Sequence, residues 1–275
     1  MVFKALTIAG SAASGAGGMP VDLRVFSQFG LYGIGSLTCT VAHDEGPAAR
    51  IFALPGEEVL AQARSALKSA GLLSAVKVGM LATEENQRAT SQFLTELNPD
   101  GVNTEGATPV VVDPVMFCKA GSVVDDEAAV AGRFRDLLLP YATAVTPNLV
   151  EAQTLVGVSS GTQWTQTDMV AAAHDIAAMT GGGIALVKGG LRLEGPDAVD
   201  VLVDGDREVI WSDPKVGHRP INGTGCTLAA ALTANLALGQ SVEDAAYGAR
   251  QYLRSKLDEP IEFRDGSLAL FQTRL

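Results

Sequence analysis

Positive charge is scarce in this chain: 20 Lys and Arg face 31 Asp and Glu across 275 residues, a formal net charge of −11. No stretch gathers basic residues into a patch, which excludes a nucleic-acid backbone or an anionic membrane surface as partner. Cysteine is equally thin. Cys39, Cys118 and Cys226 are odd in number, far apart and outside any C-x-x-C pair, so a disulfide scaffold or structural zinc site is excluded and a reducing cytoplasm is expected. The histidines His43, His174 and His218 share no metal-ligand spacing, which argues against catalytic zinc. Long apolar runs are missing too. The opening MVFKALTIAG has only a short apolar run before Gly10 and lacks secretory flanks, while the Ala-rich stretch near 229–239 is broken by polar groups at helical spacing. With 47% hydrophobic residues and 30 glycines, the composition is that of a soluble protein with a substantial core and many tight turns.

Apolar runs at 2–9, 33–42, 74–80, 108–114, 143–147 and 183–190 predict strands, and the longer gaps between them carry helical patterns. Runs such as VVVD and IALV are apolar on both faces, as in a parallel sheet covered by helices, and end in Asp113, Thr146 or Lys188. Strand ends of that kind are where ligands sit. Residues 55–70 predict an outer helix packed through Val59, Leu60, Ala63 and Leu67, and the next helix follows a Thr83 cap. Two antiparallel edge strands, 199–204 and 207–212, are expected around Asp204-Gly205-Asp206. Segments 98–109 and 159–168 read as loops, the tail after Pro260 shows no period, and the whole chain, 1–275, reads as one domain.

Asn222-Gly223-Thr224-Gly225-Cys226-Thr227 runs into a helical pattern with Leu228, Leu232 and Leu236. Free backbone donors and the helix dipole there make an anion cradle suited to phosphoryl transfer. Cys226, in the first turn, is then a candidate base or nucleophile whose thiolate the same field favours; the alternative is a plain turn before a core helix. The motif is not a Walker A loop, since no G-K-[ST] occurs. The first strand leads into a glycine-rich loop from Gly10 to Gly18, and Asp22 just beyond could orient a hydroxyl; the spacing is not that of a dinucleotide fingerprint. Asp113 and Glu151, at neighbouring strand ends, either hold Mg²⁺ on a nucleotide phosphate or serve as caps. Lys188 before Gly189-Gly190 is placed for phosphate charge, and Lys119 belongs either to a flap or to a solvated loop. Met80 floors a pocket or packs in the core, His43 stands at a strand end where it could read a ring substituent, and Cys39 reads as a small core hydrophobe.

Taken in order, ALTIAGS, the SG.GG loop with its following Asp22-Leu23, VKVGML, VVDPVM, TPNL.EA, LVKGG and GTGCT resemble the ribokinase-like vitamin kinases, the group of hydroxymethylpyrimidine/phosphomethylpyrimidine kinase and its pyridoxal kinase relatives. The resemblance covers residues 3–257. It implies a three-layer α/β/α sandwich with a mostly parallel central sheet and a small flap, dependence on ATP and Mg²⁺ and in some members K⁺, and a homodimer. It also implies an anion hole from Gly223, Thr224 and Gly225, Cys226 as the base for a substrate hydroxymethyl group, and Asp113 and Glu151 managing Mg²⁺ and phosphates. Asn148, Lys188, Glu151, Gly223 and Gly225 would contact ATP, while Gly10, Asp22, His43 and Met80 would line the substrate pocket.

Within the group the sequence departs from the pyrimidine kinases: His43 stands where an acidic or amide residue is usual, Ala12-Ala13 replaces Asp-Pro, and Pro20 replaces Gln. Phe117-Cys118-Lys119-Ala120 resembles the flap of bacterial pyridoxal kinases, in which that Cys adds to the substrate aldehyde, and AVDVLVDG at 198–205 also resembles theirs. GTGC, in place of their GAGC, points back to the pyrimidine enzymes. The expectation is a kinase for pyridoxal or a related B6 vitamer, with hydroxymethylpyrimidine or phosphomethylpyrimidine as the alternative substrate. A non-catalytic relative would lack the base, the carboxylates or the cradle, and all are present; a hydride-transferring enzyme would need the absent fingerprint.

Overall fold

A computed structural model of the chain describes residues 2–43, 49–102, 104–116 and 127–273, with the His43 side chain excluded. The chain opens with β1 (Lys4–Ala12), α1 (Met19–Gln28) and β2 (Tyr32–His43), then turns back through β3 (Ala49–Ala53). There follow α2 (Gly56–Ala70), β4 (Ala75–Val78), α3 (Glu84–Leu97), β5 (Val110–Val112) and α4 (Glu127–Leu137). Next come β6 (Ala144–Val145), α5 (Leu149–Leu155), α6 (Gln166–Ala178), β7 (Ile184–Lys188), β8 (Asp197–Asp204) and β9 (Arg207–Pro214). The chain finishes with β10 (Ile221–Asn222), α7 (Thr224–Ala237), α8 (Val242–Arg254), β11 (Ile261–Glu262) and β12 (Leu268–Ala269).

Nine strands form one sheet in the order β3-β2-β1-β4-β5-β6-β7-β8-β9. The run from β2 to β7 is parallel, while β3 at one edge and β8 and β9 at the other are antiparallel. Side chains alternate across the sheet: Leu6, Ile8, Val76, Val78, Val110 and Val112 enter one core, covered by α2 to α6, whereas Ala5, Ala75 and Val111 enter another beneath α1, α7 and α8. This is an α/β/α sandwich of the ribokinase type. The strand order reverses between β1 and β4, the place at which open α/β sheets open a crevice.

Several sequence expectations need correction. Strand β1 runs on to Ala12 through an irregular step between Ala9 and Ser11, because Ser11 and Ala12 continue to pair with Thr40 and Val41. Helix α6 begins inside the segment read as a 159–168 loop, where Thr165 and Asp168 form a reciprocal capping box. Strand β3 had no signal of its own and exists by pairing with β2. The tail after Pro260 joins a small sheet, β10-β12-β11. That sheet has a structural purpose: Gln272, fully buried, donates to Thr227 Oγ1 at 3.1 Å and accepts from Arg24 Nε at 3.0 Å, tying the start of α7 to α1.

Thr83 caps α3 as its position implies, accepting from the Asn86 backbone N–H at 3.2 Å. Cys39 is fully buried, and neither it nor Cys226 is in a disulfide. His174 sits on α6 against Glu208 of β9 at 2.7 Å. No helix among the described residues is long and apolar enough to cross a membrane.

Candidate functional site

Three groups of side chains gather along the C-terminal ends of the parallel strands. The first is the glycine loop. Gly223, with φ of 85°, is the N-cap of α7, and a Cβ there would lie 2.7 Å from the Ala16 carbonyl, so the loop seats directly on the β1–α1 connection. Thr224, Gly225 and Cys226 form the first turn of α7, whose backbone donors have no partners within the helix. The Cys226 sulfur accepts from the Gly18 backbone N–H at 3.5 Å. Burial pushes the Cys226 thiol upward, Asp22 and Asp113 add to this, and Lys77 and the Gly18 N–H oppose it. The helix start is expected to favour the thiolate, and burial acts in the opposite direction.

The second group spans β5 to β7. Asp113 follows β5 and its Oδ1 accepts from Thr146 Oγ1 at 3.0 Å and from Lys188 Nζ at 3.2 Å. A Cβ on Gly225 would lie 3.6 Å from Lys188 Nζ and 4.0 Å from Asp113 Oδ2, so this ion pair lies directly under the glycine loop. Burial pulls the Lys188 amine down, but Asp113 and Glu151 outweigh it and keep the ammonium above its ordinary range. Asn148 caps α5, accepting from the Val150 and Glu151 N–H groups, while Glu151 Oε2 accepts from the Asn148 N–H at 2.8 Å. The structure shows Glu151 in the capping role, its carboxylate lying at the start of α5. Burial, reinforced by Asp113 and opposed by Lys188, pushes it up to about 7.

Among the described residues no group of three or more His, Cys, Asp and Glu side chains is arranged to hold a metal ion. The carboxylates of Asp113 and Glu151 nevertheless suit Mg²⁺, a hard cation that keeps several waters and is commonly bound through one or two carboxylates.

The third group lies at the reversal between β1 and β4. Asp22, in the first turn of α1, accepts from Thr7 Oγ1 at 2.6 Å and pairs with Lys77 Nζ of β4 at 3.0 Å, with both charged side chains wholly buried. Burial pushes the Asp22 carboxyl up against this pairing, and Asp22 Oδ1 has no hydrogen-bond partner among the described residues. Gly10 donates to the Met80 carbonyl at 3.1 Å, which also accepts from Thr38 Oγ1, so the end of β1 is tied to the segment that follows β4. Sequence reasoning assigned no role to Lys77. Its signal was a lone charge inside the apolar run SAVKVGM.

The structure therefore brings Gly10, Asp22, Met80, Asp113, Asn148, Glu151, Lys188, Gly223, Thr224, Gly225 and Cys226 to one edge of the sheet. The backbone of His43 ends β2, and its side chain is not described; Cys118, Lys119 and the flap motif lie outside the described residues. A separate groove of about 650 Å³, lined by Lys4 and Tyr32 with Ser69 and Ala70 of α2, lies where β1 and β2 begin, away from these groups.

The profile of the phosphomethylpyrimidine kinase family matches residues 12–270. A pyridoxine kinase of Bacillus subtilis is 36% identical over 93% of this chain and 90% of its own. A hydroxymethylpyrimidine/phosphomethylpyrimidine kinase of Streptomyces coelicolor is 38% identical over 90% of this chain and 86% of its own. Among solved structures, a pyridoxal kinase of Staphylococcus aureus in complex with AMP-PCP and pyridoxal superposes with a TM-score of 0.86 at 30% identity, over 99% of this chain and 94% of that one.

Proposed function

The chain belongs to the phosphomethylpyrimidine kinase family and is an ATP-dependent small-molecule kinase; from that premise we propose that it phosphorylates the hydroxymethyl group of pyridoxal or a related vitamin B6 vitamer. The observation that carries this substrate is the superposition over 99% of the chain on a kinase holding pyridoxal and an ATP analogue. The Cys118 flap motif supports it, since a thiol there suits an aldehyde. The second reading, phosphorylation of hydroxymethylpyrimidine or its monophosphate, is favoured by the GTGC loop and by the Streptomyces relative.

In this reading the vitamer sits at the β1–β4 reversal against Gly10, Asp22, His43 and Met80, and nucleotide phosphates lie toward Asn148, Glu151 and Lys188. The Cys226 thiolate takes the hydroxymethyl proton as the substrate oxygen attacks the γ-phosphorus, so an O–P bond forms while the bond to the ADP oxygen breaks. Backbone donors of Gly223, Thr224 and Gly225 receive the charge that spreads over the transferring group. Lys188 neutralises phosphate and is itself held by Asp113. Asp113 and Glu151 would hold Mg²⁺, which would supply charge neutralisation on the phosphates. Residues 1–275 then act as one kinase domain. A homodimer, a cytoplasmic setting and a role for K⁺ belong to the same proposal and rest on the family resemblance.

The experiment is a side-by-side assay of the purified protein with ATP and Mg²⁺ on pyridoxal, pyridoxine and hydroxymethylpyrimidine, products identified by mass. Efficient pyridoxal phosphate formation with little pyrimidine product is expected. A pyrimidine monophosphate or diphosphate as the main product overturns the B6 assignment.

A further inference from the structure

Lys77 is the anomaly of the sheet. Its neighbours in β4, Ala75, Val76 and Val78, are wholly buried and apolar, and alternation puts Lys77 on the face covered by α1 and α7. Its ammonium is wholly buried with one carboxylate partner, Asp22. A buried ion pair is seldom more stabilising than the apolar residues that could replace it, so stability alone is a weak reason for this pair. The arrangement around it lies between the end of β4 and the start of α1. A Cβ on Gly79 would come within 3.1 Å of Lys77 Nζ, which places the ammonium at the C-terminal end of β4. Asp22, which holds it, lies in the same helical turn whose N-cap, Gly18, donates to the Cys226 sulfur, and the Asp22 N–H itself bonds to the Gly18 carbonyl.

We propose that Lys77 is a positioning residue for phosphoryl transfer: through its buried ion pair it holds Asp22 and the start of α1, whose N-cap Gly18 donates to Cys226, and it places a positive charge that favours the thiolate. This rests on the reading of Cys226 as the base and adds the source of its ionisation. The charged groups facing the sulfur are Lys77 from β4, Asp22 from α1, Asp113 beyond β5 and Lys188 from β7. The two lysines favour the thiolate and the two carboxylates oppose it. The ammonium and carboxylate of the pair thus act on the sulfur with opposite signs, as the two ends of a dipole.

The dipole gives opposite signs for its two halves, which a purely structural role does not. The full-length protein is alkylated with iodoacetamide from pH 6 to 10.5, with Cys226 followed by peptide mass spectrometry, and the acid limb of kcat/KM is recorded in parallel. K77M is expected to raise the midpoint of Cys226 alkylation by about one pH unit or more. D22N, which keeps the side-chain shape, is expected to lower it, and K77M/D22N falls between the single variants. Midpoints of K77M and D22N that match the wild type, or that move in the same direction, overturn the proposal. If K77M does not fold by circular dichroism, D22N decides alone: a lowered midpoint supports the dipole, and an unchanged or raised one sinks it. Failure of the base assignment is separately visible, because full turnover by C226A removes that role while the alkylation midpoints still report whether Lys77 governs the thiol.

Discussion

The backbone N–H of Gly18 points at the sulfur of Cys226 across 3.5 Å, joining residues 208 positions apart. One belongs to the start of α1 and the other to the start of α7, so two helix N-termini converge on a single thiol. Their partial positive charges and the Gly18 hydrogen bond favour the thiolate and oppose the burial that pushes the thiol up.

Replacing that sulfur tests the chemistry most directly. C226A is expected to lower kcat by roughly 10²–10⁴, the usual contribution of a positioned general base, while ATP affinity by calorimetry stays near that of the wild type. Retention of full turnover removes Cys226 from the mechanism.

Gly18 has φ of 68°, and a Cβ on it would lie 2.0 Å from the Gly10 carbonyl oxygen, a backbone atom. G18A therefore strains its own backbone and also forces β1 away from α1. We expect a loss of at least about 2 kcal/mol in urea unfolding, with activity falling more than stability because the donor to Cys226 is displaced. Wild-type stability in G18A contradicts this geometry.

Glu151 gives a pH signature. Its carboxyl is pushed up to about 7 in the folded chain from an ordinary 4.5, chiefly by burial. The folded state thus binds a proton more tightly than the unfolded state does, so this group's contribution is fully present below pH 4.5 and is lost as pH rises through 7. Without Mg²⁺, the wild type should lose stability between pH 5 and 8 relative to E151Q, by on the order of 3 kcal/mol. Added Mg²⁺, which requires the ionised carboxylate, should stabilise the wild type more at pH 8 than at pH 6. Parallel melting curves for the two proteins across this range would refute the burial effect.

Cys118 bears on substrate choice. C118A should impair phosphorylation of pyridoxal far more than that of pyridoxine, since only the former offers an aldehyde to a thiol. Equal losses on the two vitamers eliminate the adduct.

Much of this was legible in the linear chain. Runs apolar on both faces, such as VVVD, predict buried parallel strands because a covered sheet leaves no wet face, and β5 and β7 follow them. Thr83 and the Asp204-Gly205-Asp206 turn marked element boundaries through local chemistry alone. The glycine loop before Leu228, Leu232 and Leu236 announced α7 in the same way.

Other features had no local signal. Strand β3 and the β10-β12-β11 sheet are short segments stabilised by partners distant in sequence, so no window of the chain contains the cause of their formation. Whether Cys226 is easily ionised depends on a balance between burial and charges contributed from α1, β4, β5 and β7. The sequence by itself determined which residues would stand at strand ends and helix starts, because periodicity and capping are short-range. Only the tertiary structure decided that Lys77 is buried and paired with Asp22, because desolvation and Coulomb energies depend on distances through space and not on separation along the chain.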